Sequence, residues 1–244
     1  MISTSSLSAA RPAGGLAASA LAGSPTGGIL ASSGMNARRD RLERLKARIP
    51  KPGEASFFFY DAHFQAEAVK VLPGEYFVFN EDVLIMTTLG SCIATCLWDR
   101  QAKIGGMNHF MLPDNGGGAS DSGRYGSYAM ELLINEMLKM GASRMTLEAK
   151  VFGGGAVISG TNSNIVGNRN TAFVMEYLKT ERIPVVSKDV LEIYPRKVCF
   201  FPHSGKAMVK RLAPTNPDAI VQQERIAAQK VAPASTGGGS IDLF

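Results

Sequence analysis

"TTLGSCIATCLWDRQAKIGGMNHFMLP", residues 87–113, decides how the chain is read, because it carries Cys92, Cys96 and His109 in two apolar runs about a polar turn. "IATCLWD" and "IGGMNHFML" have strand composition and "DRQAK" lies between them, which predicts an antiparallel hairpin. A turn centred between Gln101 and Ala102 sets Ala94 opposite His109 and Cys92 opposite Met111. Side chains alternate with period two, so Cys92 and His109 are diagonal neighbours on one face. Such neighbours lie roughly 7 to 8 Å apart at the backbone, within reach of an imidazole turned toward a thiol.

The pair has a definite chemistry. A free thiol has a pKa of about 8.5 and is mostly protonated at neutral pH; an adjacent imidazole and the amides of a tight turn favour its thiolate. A Cys92–His109 pair would attack an amide or ester carbonyl, with His109 protonating the leaving group and then activating water against the thioester. The Gly90–Ser91–Cys92 turn offers backbone N–H groups to the oxyanion. Thr87 and Thr88, at the end of the preceding run, are hydroxyls that would hold the imidazole. The same residues also fit a packed hairpin, since buried free cysteine is common and strand histidines pack and hydrogen-bond. On the residues alone, both readings stand.

Other chemistry-bearing residues carry less. Cys92-x3-Cys96 lacks the second ligand pair of a zinc site. Cys96, and Cys199 in "KVCFF", read as core. His63 fits an entry loop and His203 a turn. Gly153-Gly154-Gly155 is not followed by Gly-Lys-Ser/Thr and is not in G-x-G-x-x-G form, which argues against nucleotide binding.

Outward from the hairpin, the order of elements emerges. "AVKVLPGEYFVF" reads as two strands about the Pro73-Gly74 turn, and "DVLIMTT" as a buried strand. Downstream, "DNGGGASDSG" reads as a loop and "RYGSYAMELLINEMLKMG" as a helix stopped by Gly141. "RMTLEAKVFGGG" is a strand, and "SNIVGNRNTAFVMEYLKTERI" a second helix capped by Asn164 or Asn168. "VVSKDV", "KVCFFP" and "AMVKRL" close the series as strands, with a hairpin turn at His203–Lys206. Strands with two inserted main helices predict an α+β or layered α/β sandwich with a mixed, largely antiparallel sheet.

Composition sets the limits. The 244 residues are 45% hydrophobic, enough for one substantial core. Residues 1–54 are a basic Ala/Ser/Gly-rich extension with little to bury, expected to be disordered; the domain spans 55–212, and 213–244 form a flexible tail. The net charge of +5 resides in residues 1–50, where Arg11, Arg38, Arg39, Arg41, Arg44, Lys46 and Arg48 face only Asp40 and Glu43. The remainder is neutral, so a basic nucleic-acid face is not indicated. "RRDRLERLKARIP" fits a solvated amphipathic helix or a contact to an acidic partner. No run reaches the roughly 18 apolar residues of a membrane span. Three cysteines suit a reducing compartment, and the cytoplasm is expected. The terminal "GGGSIDLF" is a tail, with Leu243 and Phe244 as the anchors of any docking peptide.

"TTLGSCIATCLWD" followed by "GGMNHFMLP" resembles the signature of the chemoreceptor glutamine deamidase family, CheD. The resemblance extends through "FYDAHFQAEAVKVLPGEYFV", "LEAKVFGGG", "VGNRNTAFVMEYL" and "YPRKVCFFPHSGKAMVKRL", so it covers roughly residues 57 to 212. It implies hydrolysis of glutamine side chains on the cytoplasmic helices of chemotaxis receptors, giving glutamate and ammonia, with no cofactor and no metal. It places the nucleophile at Cys92, the base at His109 and the orienting threonine at Thr87, on a layered sandwich related to cysteine-dependent deamidating toxins. A CheC-like phosphatase is a further expected partner, and a non-catalytic adaptor binding receptor or phosphatase is the alternative. One departure stands out: Leu191-Glu192 follow Asp189-Val190 where relatives often carry Gly-Gly.

Overall fold

The computed structural model describes residues 40–112, 119–157 and 163–213, together with 222 and 226; side chains of 113–124 and 158–164 fall outside the description. Among the described residues, ten strands and three α-helices make three layers. The first sheet has the order β1-β2-β4-β9-β10, built from β1 (Phe57–Asp61), β2 (Ala66–Lys70), β4 (Leu84–Leu89), β9 (Arg196–Phe201) and β10 (Lys206–Arg211). The second, β3-β6-β5-β7-β8, comprises β3 (Tyr76–Phe79), β6 (Ile104–Phe110), β5 (Ile93–Asp99), β7 (Leu147–Gly153) and β8 (Val185–Val190). Pairing is antiparallel except β2 with β4 and β7 with β8. The fold is thus an α+β sandwich, with two sheets where one was expected. Its helices are α1 (40–46), α2 (Ala119–Lys139) and α3 (Ser163–Thr180).

Strand alternation assigns the layers. Ile93, Leu97, Phe110, Ala149 and Val151 face Met130, Leu133, Met137, Val174 and Leu178 of α2 and α3. The opposite face of that sheet, with Cys92, Ala94, Cys96 and Met107, packs on Val69, Ile85, Leu89, Val198 and Phe200 of the first. Buried side chains of this size each contribute about 1.5–3 kcal/mol, so the alternation is strongly enforced. A third apolar cluster, Ala68, Leu84, Met86 and Cys199, lies on the outer face of the first sheet.

The hairpin register is the one inferred: Ile93 pairs with Phe110, Ala94 with His109 and Cys96 with Met107. Asp99 fixes the turn, its carboxylate accepting from Gln101 N (2.8 Å) and Ala102 N (3.0 Å). This is the Asx-turn device, and Lys103 completes the turn at φ 56°.

Several boundaries differ. Part of the 1–54 extension is ordered, since α1 lays Leu45, 3% exposed, into the inter-sheet core and Arg41 pairs with buried Glu67. The charged partners that make this basic stretch look solvated lie in distant β-sheet sequence. Residues 1–39 lie outside the described residues, as do the tail beyond 213 apart from two positions, "GGGSIDLF", and residues 113–118 of the "DNGGGASDSG" loop. The backbone is helical from Ala119, because the amphipathic stretch that follows propagates the helix N-terminally. The second main helix begins at Ser163, which puts Asn164 in its first turn and Asn168 in its interior rather than at a cap. Gly141 does stop α2, at φ 103° with Ala142 N donating to Met137 O.

Candidate active site

His109 is held from three sides. Its strand pairs with β5, while the turn before β3 closes its other edge: His109 N donates to Glu75 O (2.9 Å) and Gly74 N to His109 O (2.7 Å). Gly74 reaches that position at φ 87°, open to glycine without cost. The ring points between the sheets, where Nδ1 lies 2.8 Å from Thr87 Oγ1. Alternation on β4 explains why Thr87 is the partner: Ile85 and Leu89 face inward with it, and Thr88 faces the other side.

This contact sets the tautomer. The Thr87 hydroxyl has one proton and donates it to Val71 O at 2.7 Å. Its oxygen therefore accepts from His109 Nδ1–H, and Nε2 carries the lone pair. Nε2 is buried and has no hydrogen-bond partner among the described residues, an unusual state for a buried polar atom. Burial holds the imidazole pKa down to about 4, assisted by the charge of Lys70 and opposed by the Val71 carbonyl. At neutral pH the ring is an uncharged base.

Cys92 is wholly buried at the start of β5, on the His109 face. The carbonyls of the turn that carries it are tied in series. Gly90 O accepts from Gly155 N at 2.8 Å and Cys92 O from Gly154 N at 2.8 Å. Between them, Ser91 O accepts from Asn170 Nδ2 at 2.9 Å. The triple glycine is what allows this approach: a Cβ on Gly153 would sit 2.1 Å from Cys92 O, and one on Gly154 2.4 Å from Thr171 Oγ1. Gly153 and Gly154 also have φ of 113° and 68°.

The residues singled out from sequence thus separate. Cys92, His109, Thr87, Gly90 and Ser91 come together where β4, β5 and β6 meet, whereas Cys96 sits mid-strand opposite Met107. Cys199 lies in the outer cluster, His63 is exposed beside Phe64, and His203 bonds Asn80 O through Nδ1. Sequence reasoning gave no role to Asn170, Gly153–Gly155 or Tyr125. Tyr125 stands over Gly74, and its phenol pKa is raised by burial and then by nearby Cys92. "VGNRN" and "FGGG" are visible signals, but their purpose depends on a loop more than fifty residues away.

Behind the glycine loop lies a half-buried ion pair. Arg196, fully buried, donates through Nε to Asp189 Oδ1 (2.9 Å) and through Nη1 to Tyr194 O (2.9 Å). Leu191 and Glu192 follow Asp189 at φ 64° and 63°. Leu191 N donates to Gly153 O and Glu192 O accepts from Ala156 N. The turn that Gly-Gly would form without strain is therefore formed here by two L-residues in the left-handed region.

A family model described as CheD chemotactic sensory transduction matches residues 111–211. That segment begins just past His109 and contains α2, β7, α3 and Asn170. A protein of Albidiferax ferrireducens named "Probable chemoreceptor glutamine deamidase CheD 1" is 61% identical over 204 residues, covering 84% of this chain and 87% of that protein. A second, of the same name, from Dechloromonas aromatica is 52% identical over 188 residues, 76% of this chain and 93% of the relative. "Probable chemoreceptor glutamine deamidase CheD" of Janthinobacterium is 48% identical over 202 residues, 81% of this chain and 99% of its own length. Identity at this level, sustained across nearly the full length of these relatives, has one meaning: the chain belongs to the chemoreceptor glutamine deamidase family, CheD.

Proposed function

We propose that the protein hydrolyses glutamine side-chain amides on chemoreceptors, with Cys92 as nucleophile, His109 as general base and acid, and Thr87 as the group that orients the imidazole. The observation that carries this reading is the buried Nε2 of a neutral histidine beside the Cys92 turn, without a hydrogen-bond partner among the described residues. Thr87 Oγ1 occupies Nδ1–H, so the only lone pair of the ring is directed away from it.

In the reaction, Nε2 takes the Cys92 proton as sulfur attacks the amide carbon. A backbone N–H of the Gly90–Ser91–Cys92 turn stabilises the oxyanion, and the imidazolium then protonates the departing nitrogen as ammonia. Water, deprotonated by Nε2, cleaves the thioester to give glutamate and the free thiol. The low imidazole pKa keeps the resting ring neutral and able to take the Cys92 proton during attack. In this reading the substrate is a glutamine on a receptor's cytoplasmic helices and the enzyme works in the cytoplasm; the relatives' name, chemoreceptor glutamine deamidase, supports the receptor as substrate. Among the described residues no helix is long and apolar enough to cross a membrane. A CheC-like phosphatase is a further partner in this reading.

Incubation with a receptor cytoplasmic fragment should convert particular glutamines to glutamates, read as mass shifts of single peptides. Cys92→Ala should abolish the conversion while thermal unfolding stays cooperative; persistent conversion by this variant would rule out Cys92 as nucleophile.

A further inference from the structure

Asn170 makes two hydrogen bonds that nothing in the proposed chemistry uses directly. Located in α3 and 0% exposed, it donates through Nδ2 to Ser91 O (2.9 Å) and accepts through Oδ1 from Leu112 N (3.0 Å). Ser91 immediately precedes Cys92, and Leu112 lies three residues past His109. One buried side chain therefore joins the segment bearing the thiol to the segment bearing the imidazole. Arg169 Nη2 adds a bond to Leu112 O at 3.2 Å on the same segment.

The bond to Ser91 O does more than link two chains. In a planar trans peptide, C=O and N–H point in opposite directions. The carbonyl of Ser91 and the N–H of Cys92 belong to one peptide, so fixing the first toward Asn170 turns the second away from it. The peptides on either side are fixed as well, through Gly90 O to Gly155 N and Cys92 O to Gly154 N. The middle one is held by a side chain, that of Asn170.

We infer that Asn170 is a positioning residue that aims the Cys92 N–H at the oxyanion formed during amide attack. The inference rests on the reading of Cys92 as nucleophile. A preorganised backbone donor acts on the transition state and leaves ground-state binding nearly unchanged, which gives the proposal a kinetic signature.

Two variants test it on the full chain. Asn170→Asp keeps the volume and the acceptor for Leu112 N but replaces the donor facing Ser91 O with a carboxylate oxygen. Asn170→Ala removes both bonds. With a receptor cytoplasmic fragment as substrate, both should lower kcat by about 10- to 100-fold with KM within about threefold of wild type, since removal of a whole oxyanion donor costs about 10²–10³. The Asn170→Asp deficit, measured against wild type at each pH, should shrink as the pH is lowered and the introduced carboxyl regains a proton to donate. The Asn170→Ala deficit should stay constant.

Wild-type kcat in either variant, a loss appearing in KM instead, an Asn170→Asp deficit independent of pH, or failure of both variants to fold would assign Asn170 to the fold alone and overturn the inference. Deamidation surviving in Cys92→Ala would instead remove the nucleophile reading, so the two failures are distinguishable.

Discussion

Cys92 and Cys96 lie four residues apart on one face, both buried in the same inter-sheet layer, yet their surroundings differ in every respect that matters for reactivity. Cys96 is mid-strand, with Met107 and Lys150 as cross-strand partners. Burial pushes its thiol pKa far up, against the weaker pull of Lys150. Cys92 precedes the strand, in a turn whose carbonyls are tied to the glycine loop and to Asn170, and its diagonal neighbour is an imidazole with an open lone pair. Burial by itself makes a thiol inert. What distinguishes the two is a base and a fixed backbone, neither of which lies in the hydrophobic pattern they share.

The sharpest test of that contrast pairs His109→Asn with Cys96→Ala. The first should reduce deamidation by about 10⁴-fold or more. The second should leave kcat within about threefold and cost roughly 1 kcal/mol of stability by denaturant titration. Comparable losses in both would dissolve the distinction between the two cysteines.

The next largest effect is expected at the glycine loop. Gly153→Ala puts a Cβ 2.1 Å from Cys92 O at a left-handed backbone position, and that clash is with main chain. It should lower stability by more than about 3 kcal/mol, whereas Lys150→Ala, beside Cys96, should cost about 1 kcal/mol, mainly through its bond to Gly205 O. Differential scanning calorimetry of the two variants measures the difference.

The neutral state of His109 predicts a pH dependence. Its folded pKa, about 4, lies below the ordinary value of about 6.5, so between these the unfolded chain binds more protons than the native one. The stability is complete above the unfolded value and is lost as pH falls from there toward 4, to an extent on the order of 3 kcal/mol. Asp189 follows at lower pH: burial opposes ionisation, but hydrogen bonds from Arg211 and Arg196 outweigh it and hold the carboxyl below its usual range. Urea midpoints measured from pH 7 to 5 should therefore decline in wild type and stay nearly level in His109→Gln. Equal slopes would place the titration elsewhere.

Thr87→Val keeps the shape but leaves Nδ1–H and Val71 O without their hydroxyl, at about 1–3 kcal/mol. Deamidation should fall by about 10- to 100-fold, with the equivalent change Thr88→Val near wild type. The smallest effect is expected at the strained turn behind the loop. Leu191→Gly should raise the unfolding free energy by a few tenths of a kcal/mol up to about 1, because relief of the left-handed conformation exceeds the added chain entropy. A lower melting temperature would show that the Leu191 side chain contributes more than its backbone costs.

Much of this was legible without coordinates because it is local. Alternation and one polar turn suffice to set the register of β5 on β6, since a one-residue slip of β6 would move Met107 from the inter-sheet face to the face that packs on the helices. The diagonal placement of Cys92 and His109 follows from that register, and the stop of α2 follows from Gly141, a local glycine signal. The boundary of the ordered chain was not legible, because the pairing of Arg41 with Glu67 and of Arg48 with Glu54 depends on where sheet residues lie.

The sequence by itself determined the hairpin, the order of β2 to β10 with α2 and α3, and the face that Cys92 shares with His109, because a period of two and a turn depend on neighbours in the chain. Only the tertiary structure decided that β2 and β3, separated by one Pro-Gly turn, enter different sheets; that Thr87 from the other sheet reaches Nδ1; and that Asn170 in α3 takes hold of Ser91. These contacts are set by the packing of three layers, and no spacing along the chain encodes a distance between sheets.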